Sequence, residues 1–115
     1  MITVTVFQDS DLSYQGIELT GHSGYAEQGE DIICAAVSAL ALNMANSVEH
    51  FTEDSFEGGT EEDTGHFWFR FADTVSTESK LLMNSLVLGL QNIAGDYGKQ
   101  YIKIRFQSKG GVSDV

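Results

Sequence analysis

The sequence contains no proline and a single cysteine in 115 residues. One cysteine excludes an intrachain disulfide, so the chain is not a disulfide-stapled secreted domain and suits a reducing compartment. Ile2 to Val6 has a strand pattern, with neither the basic segment nor the apolar core of a signal peptide. The longest apolar stretch, Ile32 to Ala45, is interrupted by Ser38 and Asn43 and is shorter than a bilayer-spanning helix. We therefore expect a cytoplasmic protein without a membrane partner.

Basic residues are also scarce, since six Lys and Arg stand against 17 Asp and Glu, for a formal net charge of −11. Such a surface repels phosphate backbones, so we expect no direct nucleic-acid ligand. Several acidic residues crowd one short stretch: Glu53, Asp54, Glu57, Glu61, Glu62 and Asp63. This stretch is either a solvated acidic turn or a surface that attracts a basic partner, and the sequence leaves both interpretations open.

Length and composition indicate one folded domain. A chain of 115 residues can build a single core, and a hydrophobic content of 42% excludes general disorder. We expect this domain to span residues 1–107. Residues 108–115 carry no buried pattern, so we expect them to be a disordered tail.

Alternating apolar residues predict strands at both ends of the chain and in its middle. The first strand contains Ile2, Val4 and Val6, and the second runs from about Ser13 to Gly21. The later segments are a short third strand within Phe51–Glu57 followed by a turn at Gly58-Gly59, a fourth carrying Phe67, Phe69 and Phe71, and a last one carrying Ile102, Ile104 and Phe106.

Two helices are predicted between these strands. The first spans about Ile32 to Glu49, and the second runs from near Ser76 to Tyr97 with Ser76 or Thr77 as its N-cap. The element order is β-β-α-β-β-α-β, an α+β fold with two helices packed on a mixed sheet. The first helix is apolar around most of its circumference, more than one sheet can cover, so we expect a homodimer.

The only cysteine, Cys34, follows His22 by twelve residues, with a glycine-bearing loop between them. Asp31 is interpreted as a helix N-cap, which makes Cys34 the third helical residue. The amide groups of a first helical turn favour a thiolate, the nucleophilic form of cysteine. His22 lies where the second strand ends and can take the thiol proton. The pattern indicates a cysteine hydrolase site with Cys34 and His22 as catalytic residues.

Other residues in this segment have two interpretations each. Asp31 either caps the helix or orients the His22 imidazole, and Ser38, one turn after Cys34, either touches the site or bonds to a backbone carbonyl. The loop and substrate-binding candidates are Gly21, Gly24, Tyr25 and Gly29, which an ordinary glycine-containing connection explains nearly as well.

Cys34 itself also has competing interpretations. A lone cysteine beside apolar residues is often a small buried hydrophobe. A metal site that adds His50 and His66 to His22 lacks the usual ligand spacing, so we expect neither a metal nor another cofactor.

The segment Gly21-His22-Ser23-Gly24-Tyr25-Ala26, followed by Gly29, Asp31 and the run Cys34-Ala35-Ala36-Val37-Ser38-Ala39-Leu40, resembles the signature of the ribosomal-processing cysteine proteases, the Prp family. The resemblance implies a homodimeric endopeptidase that removes a short N-terminal extension from ribosomal protein twenty-seven of the large subunit. It implies Cys34 as nucleophile, His22 as its partner, and a basic ribosomal protein as substrate.

Two further classes of function stay open on the sequence. One is a non-catalytic acidic adaptor that binds a basic ribosomal protein while Cys34 is inert. The other is a thiol redox or acyl-transfer enzyme, although the absence of a second cysteine to resolve a disulfide argues against redox chemistry.

Overall fold

The fold is taken from a computed structural model, which describes residues 1–21, 28–61, 65–97, 100–108 and 111–114. In the segments 28–31 and 111–114 it describes the backbone. The strands are β1 (Ile2–Gln8), β2 (Tyr14–Thr20), β3 (Phe56–Glu61), β4 (His66–Phe71), β5 (Ile102–Ser108) and β6 (Gly111–Asp114), and the helices are α1 (Gln28–Phe51) and α2 (Thr77–Tyr97). The predicted order of the first seven elements and the α+β class are confirmed.

The strands form one mixed sheet in the order β3-β4-β2-β1-β5-β6. β1 pairs in parallel with β5, and the other neighbours pair antiparallel. Val4 lies opposite Leu19 on one side and Ile104 on the other, which places three apolar side chains on the same face. The large buried apolar residues of the strands share this face, because successive side chains alternate between the two faces of a strand, and buried Thr5 lies on the opposite face.

Both helices contribute buried side chains to the same core. In α1 they recur at helical spacing, as Ile33, Val37, Ala41, Met44 and Val48. In α2 they are Ser79, Met83, Leu86, Val87 and Leu90. The helices approach closely at Gly89, where an added Cβ would lie 3.1 Å from Cδ1 of Leu40.

By length and composition alone, the 20 residues from Ile32 to Phe51 pass as a membrane-spanning helix. This segment is longer than the apolar stretch from Ile32 to Ala45 that is considered from the sequence. A core helix passes the same test, and α1 connects two strands of one sheet while burying an apolar stripe against the core. Packing inside the fold therefore accounts for one apolar stripe of α1, whereas Ile32 and Leu42 on the same helix are exposed.

The predicted turn at Gly58-Gly59 is wrong, because both glycines lie inside β3, opposite Phe69 and Trp68. A Cβ added at Gly59 would lie 2.8 Å from Nε1 of Trp68, and one at Gly58 would lie 2.9 Å from the Trp68 carbonyl oxygen. Glycine inside a strand often marks the close approach of a neighbour rather than a turn.

The disordered tail expected at residues 108–115 is wrong for Gly111–Asp114, which forms β6 against β5. A four-residue strand is held by backbone hydrogen bonds and needs no apolar alternation of its own. The sequence pattern therefore carries no signal for it.

The start of α2 is held by a cap that includes an acidic residue from the connection between α1 and β3. The Ser76 hydroxyl oxygen accepts a hydrogen bond from the Ser79 N–H at 3.1 Å, which confirms Ser76 as the N-cap. The Asp54 carboxylate accepts from the Ser76 N–H at 3.0 Å and from the Ser76 hydroxyl at 2.6 Å. Hydrogen bonds from the side chains of Ser76 and Ser79 lower the pKa of Asp54. Asp54 therefore stabilises the helix start.

Candidate active site

The structure places Cys34 in the second turn of α1, where the residue is 6% exposed and belongs to the same buried core as Ile33 and Val37. The thiol therefore faces inward, as in the interpretation of Cys34 as a small buried hydrophobe. Burial alone does not separate that interpretation from the catalytic one, because a nucleophile can also be covered until a substrate binds.

The predicted helix start is wrong. α1 begins at Gln28, so Asp31 lies inside the first turn and does not occupy the N-cap position, and Cys34 is the seventh helical residue. Asp31 precedes the apolar run and resembles a cap in the sequence, but Gln28 and Glu30 are good helix formers that extend the helix backward. Gly29, predicted as a loop residue, also lies in this helix.

The earlier helix start changes the expected electrostatics of Cys34. The influence of a helix terminus falls off within the first turn, so it favours the Cys34 thiolate less than predicted. In a helix that begins at Gln28, the amide of Cys34 also has a backbone acceptor four residues earlier. That amide is therefore not a ready donor to an oxyanion.

His22, Gly24 and Tyr25 lie outside the residues that the structure describes, as does the side chain of Asp31. Their roles as catalytic partner, loop residues and supporting carboxylate stay predictions. Ser38 is exposed one turn after the buried Cys34. Because residues four apart are neighbours on a helix surface, Ser38 places an exposed hydroxyl one turn from Cys34.

Gly21 lies directly before His22 and is required by the backbone. Its φ is +95°, and an added Cβ would lie 2.2 Å from the Met1 carbonyl oxygen. Both observations demand a residue without a side chain. The sequence predicted Gly21 as part of a flexible loop, whereas the structure shows it packed against the first residue of the chain. Gly21 therefore fixes the point at which the chain leaves β2 toward His22.

The sheet register brings several segment ends to one end of the molecule. Thr20 ends β2, and Leu19 lies opposite Phe67, next to the start of β4. Glu61, the last residue of β3, lies opposite His66. Since α1 follows β2 and returns the chain to the start of β3, its first turns lie at this same end, with Cys34.

The other two histidines do not join Cys34. His66 Nε2 lies 2.8 Å from Oε2 of Glu18, and these side chains share the sheet face opposite the helices. His50 is sixteen residues after Cys34 in α1, about 24 Å along the helix axis. Among the described residues, no group of three His, Cys, Asp or Glu side chains is placed to hold a metal ion.

Comparison with known proteins identifies this arrangement. The family model for cysteine protease Prp matches residues 1–103. The ribosomal processing cysteine protease Prp of Bacillus subtilis is 32% identical over 103 residues, which cover 84% of this chain and 90% of that protein. The protein of the same name from Staphylococcus aureus is 28% identical over 99 residues, covering 86% and 93%.

Solved structures agree with the sequence comparison. The Staphylococcus aureus protease Prp in complex with a substrate peptide superposes with a TM-score of 0.86 at 26% identity, covering 93% of this chain and all of that one. A second structure of that protease, with a covalently linked product peptide, gives a TM-score of 0.82 at 27% identity and the same coverage.

The α+β fold that the chain shares with these solved structures, together with the match to relatives named as cysteine proteases, defines a cysteine endopeptidase. The chain belongs to the cysteine protease Prp family. The resemblance found in the sequence is thereby confirmed, and the activity is that of a thiol protease of ribosomal processing.

Proposed function

We propose that the substrate is the N-terminally extended form of ribosomal protein twenty-seven of the large subunit, and that the protease removes this extension. The observation that carries the proposal is the family match over residues 1–103, which includes the whole segment from Gly21 to Leu40. The name of the relatives, ribosomal processing cysteine protease, supports a ribosomal protein as the substrate class.

In the proposed mechanism the sulfur of Cys34 attacks the scissile carbonyl carbon. His22 takes the thiol proton and later gives it to the leaving amine, while a thioester forms between Cys34 and the N-terminal product. Water then adds to the thioester carbonyl and forms a tetrahedral intermediate. Collapse of this intermediate releases the N-terminal product as a carboxylic acid and returns the Cys34 thiol. The covalently linked product in the Staphylococcus aureus structure supports such a covalent step.

The experiment that tests the proposal combines the protein with the extended substrate and weighs the products. We expect two fragments, the extension and the mature protein, whose masses add up to that of the substrate plus one water. An intact substrate after hours at neutral pH contradicts the proposed activity and favours the acidic adaptor, in which the protein binds the ribosomal protein without cutting it.

Alkylation of the native protein separates a reactive thiol from an inert one. Iodoacetamide reacts with the thiolate, so rapid modification of Cys34 below pH 7 supports the nucleophile. A thiol that reacts only after unfolding supports the adaptor, because the side chain is buried in the folded chain.

We also propose that the protein is a homodimer that acts in the cytoplasm. Large apolar side chains are exposed on both helices, namely Ile32 and Leu42 on α1 and Leu81 and Leu88 on α2. A second copy of the chain can cover such a surface. Light scattering at micromolar concentration should report about twice the chain mass of 12.6 kDa. A clean monomer contradicts the dimer.

A further inference from the structure

The outer edge of β3 is an open row of backbone hydrogen-bonding groups. β3 stands at the end of the strand order, paired with β4 on one side, and within the described part of the chain no strand covers its other side. The Ser55 carbonyl oxygen accepts the Ala72 N–H at 2.9 Å. In a regular antiparallel ladder the backbone groups of Phe56, Gly58 and Thr60 then point away from β4.

Small side chains leave the backbone of this edge accessible, and acidic side chains make it negatively charged. Gly58 has no side chain, and Thr60 is small and exposed. Glu53 and Glu57 are exposed and acidic, Glu61 ends the strand, and Glu62 and Asp63 follow in sequence. Exposed acidic groups disfavour pairing of this edge with the same edge of another copy, because like charges would meet. The same charges favour a strand that carries Lys and Arg.

The edge also ends beside the end of the molecule where the proposed catalytic residues lie. Glu61 lies opposite His66, and β4 is the neighbour of β2, whose last residue leads to Gly21 and His22. A strand added to β3 would lie three strand spacings from β2, about 14 Å. About four or five extended residues span that distance. A chain leaving the active site can therefore reach the edge within a few residues.

We propose that β3 is a docking edge for the Lys/Arg-rich segment of the substrate that follows the scissile bond, which pairs with β3 as an added antiparallel or parallel strand. The backbone of Phe56, Gly58 and Thr60 provides the hydrogen bonds, and the acidic side chains select a basic segment. This inference rests on the proposed function for the identity of the occupant, and it adds a second contact outside the catalytic residues.

Binding is tested first without any cleavage. The Cys34→Ala protein is labelled with ¹⁵N and titrated with a ten-residue peptide of alternating Lys and Val, and separately with the matched Glu/Val peptide. We expect the Lys/Val peptide to shift the amide signals of β3 most, and to slow hydrogen exchange of Phe56, Gly58 and Thr60. Shifts spread evenly over the acidic surface, or equal shifts with the Glu/Val peptide, overturn the docking edge.

A backbone change then tests the edge in turnover. Thr60→Pro removes an outward N–H without removing a bond to β4, whereas Thr60→Ala removes the side chain and keeps that N–H. We expect Thr60→Pro to raise KM for the full-length extended substrate about threefold to tenfold. It should leave cleavage of a short uncharged peptide that ends at the scissile region unchanged, and Thr60→Ala should match wild type on both. Thermal melting verifies that each variant is folded.

Charge is tested with a matched pair of double variants. Glu57→Gln with Glu61→Gln should reduce the salt dependence of full-length cleavage between 50 and 500 mM, because the attraction is screened over a Debye length of about 10 Å at 0.1 M. Asp11→Asn with Asp96→Asn makes the same change in net charge outside β3 and its flanking residues, at two exposed positions, and should keep that dependence. Equal effects of the two pairs contradict docking at this edge.

The outcomes separate this proposal from the proposed function. If both substrates are cut and neither Thr60→Pro nor the β3 charge pair changes the full-length reaction, the docking edge is wrong and the protease activity stands. If neither substrate is cut, the proposed function fails, and the peptide titration alone decides whether β3 binds a basic strand.

Discussion

The two helices begin in chemically different ways. α2 begins at Thr77 behind Ser76, whose hydroxyl oxygen accepts the Ser79 N–H while Asp54 accepts two hydrogen bonds from Ser76. α1 begins at Gln28, three residues before the carboxylate that resembles a cap, and carries Cys34 in its second turn. The start of α2 uses its polar side chains for stability, whereas the start of α1 carries the proposed nucleophile. Substitutions at the two starts should therefore affect different measurements.

The largest expected effect separates chemistry from stability at the start of α1. Cys34→Ala and Cys34→Ser should each lower cleavage about 10³-fold or more, because the nucleophile is lost or replaced by a far weaker hydroxyl. Loss of one buried sulfur should move the melting temperature by only a few degrees, for a cost of about 1 kcal/mol. Val48→Ala, buried near the other end of α1, is the control: it destabilises and leaves cleavage intact below its melting temperature. Full activity of either Cys34 variant would remove Cys34 from the mechanism.

Gly21→Ala should affect both cleavage and stability, since this residue connects the sheet to His22, the predicted base. The φ of +95° and the 2.2 Å approach of an added Cβ to the Met1 carbonyl oxygen predict a loss of about 1–3 kcal/mol in the free energy of unfolding. Displacement of His22 should lower kcat as well.

Gly95→Ala is the matched control, because an added Cβ there meets no described atom within 4 Å. In a helix this change should stabilise by about 0.5–1 kcal/mol and leave cleavage unchanged. If Gly21→Ala behaves like Gly95→Ala in both denaturation and kinetics, the close contact with Met1 does not constrain the site.

Ser76→Ala should change stability alone. Loss of the N-cap is expected to cost about 1 kcal/mol, and cleavage below the melting temperature should stay at the wild-type level. Ser85→Ala, exposed in the middle of α2, removes the same hydroxyl without removing a cap and should be neutral or slightly stabilising. Urea denaturation of wild type, Ser76→Ala and Ser85→Ala compares their stabilities. Equal midpoints for all three would show that the Ser76 cap does not stabilise the fold.

The smallest effect concerns pH. Because hydrogen bonds lower the pKa of Asp54 below 3.8, folding favours its ionised form. Its contribution to stability is present above the unfolded pKa and is lost as pH falls through the folded value. Wild type should therefore lose more stability than Asp54→Asn between pH 5 and pH 3, as measured by urea denaturation at each pH. Parallel losses in the two proteins contradict a role for the Asp54 charge in the cap.

Local patterns were sufficient to predict most of the elements and the family, while the role of Cys34 as nucleophile stays a prediction. Alternation in segments such as Phe67 to Phe71 predicts strands because one face is buried, and the signature around Cys34 identifies the family. Ser76 could be predicted as a cap because a helix of strong period follows it. These signals all come from residues close together in the chain.

The remaining features depend on pairing and packing that the local apolar patterns do not encode. The glycines of β3 resemble a turn until Trp68 is placed against them, and β6 has no pattern because its backbone pairing with β5 holds it. The start of α1 was misplaced because a carboxylate before an apolar run is also common inside a first turn. The requirement for glycine at position 21 arises from Met1, twenty residues earlier.

The central position of β1 has a consequence for how the chain folds. Ile2 pairs with Ile102, so the parallel ladder at the middle of the sheet joins residues one hundred positions apart. Such a pairing forms only after a large loop has closed, and contacts of long sequence separation slow folding. A nascent chain that has not yet produced β5 leaves one side of β1 without its partner. The sheet can therefore be completed only after nearly all of its described strands have been synthesised.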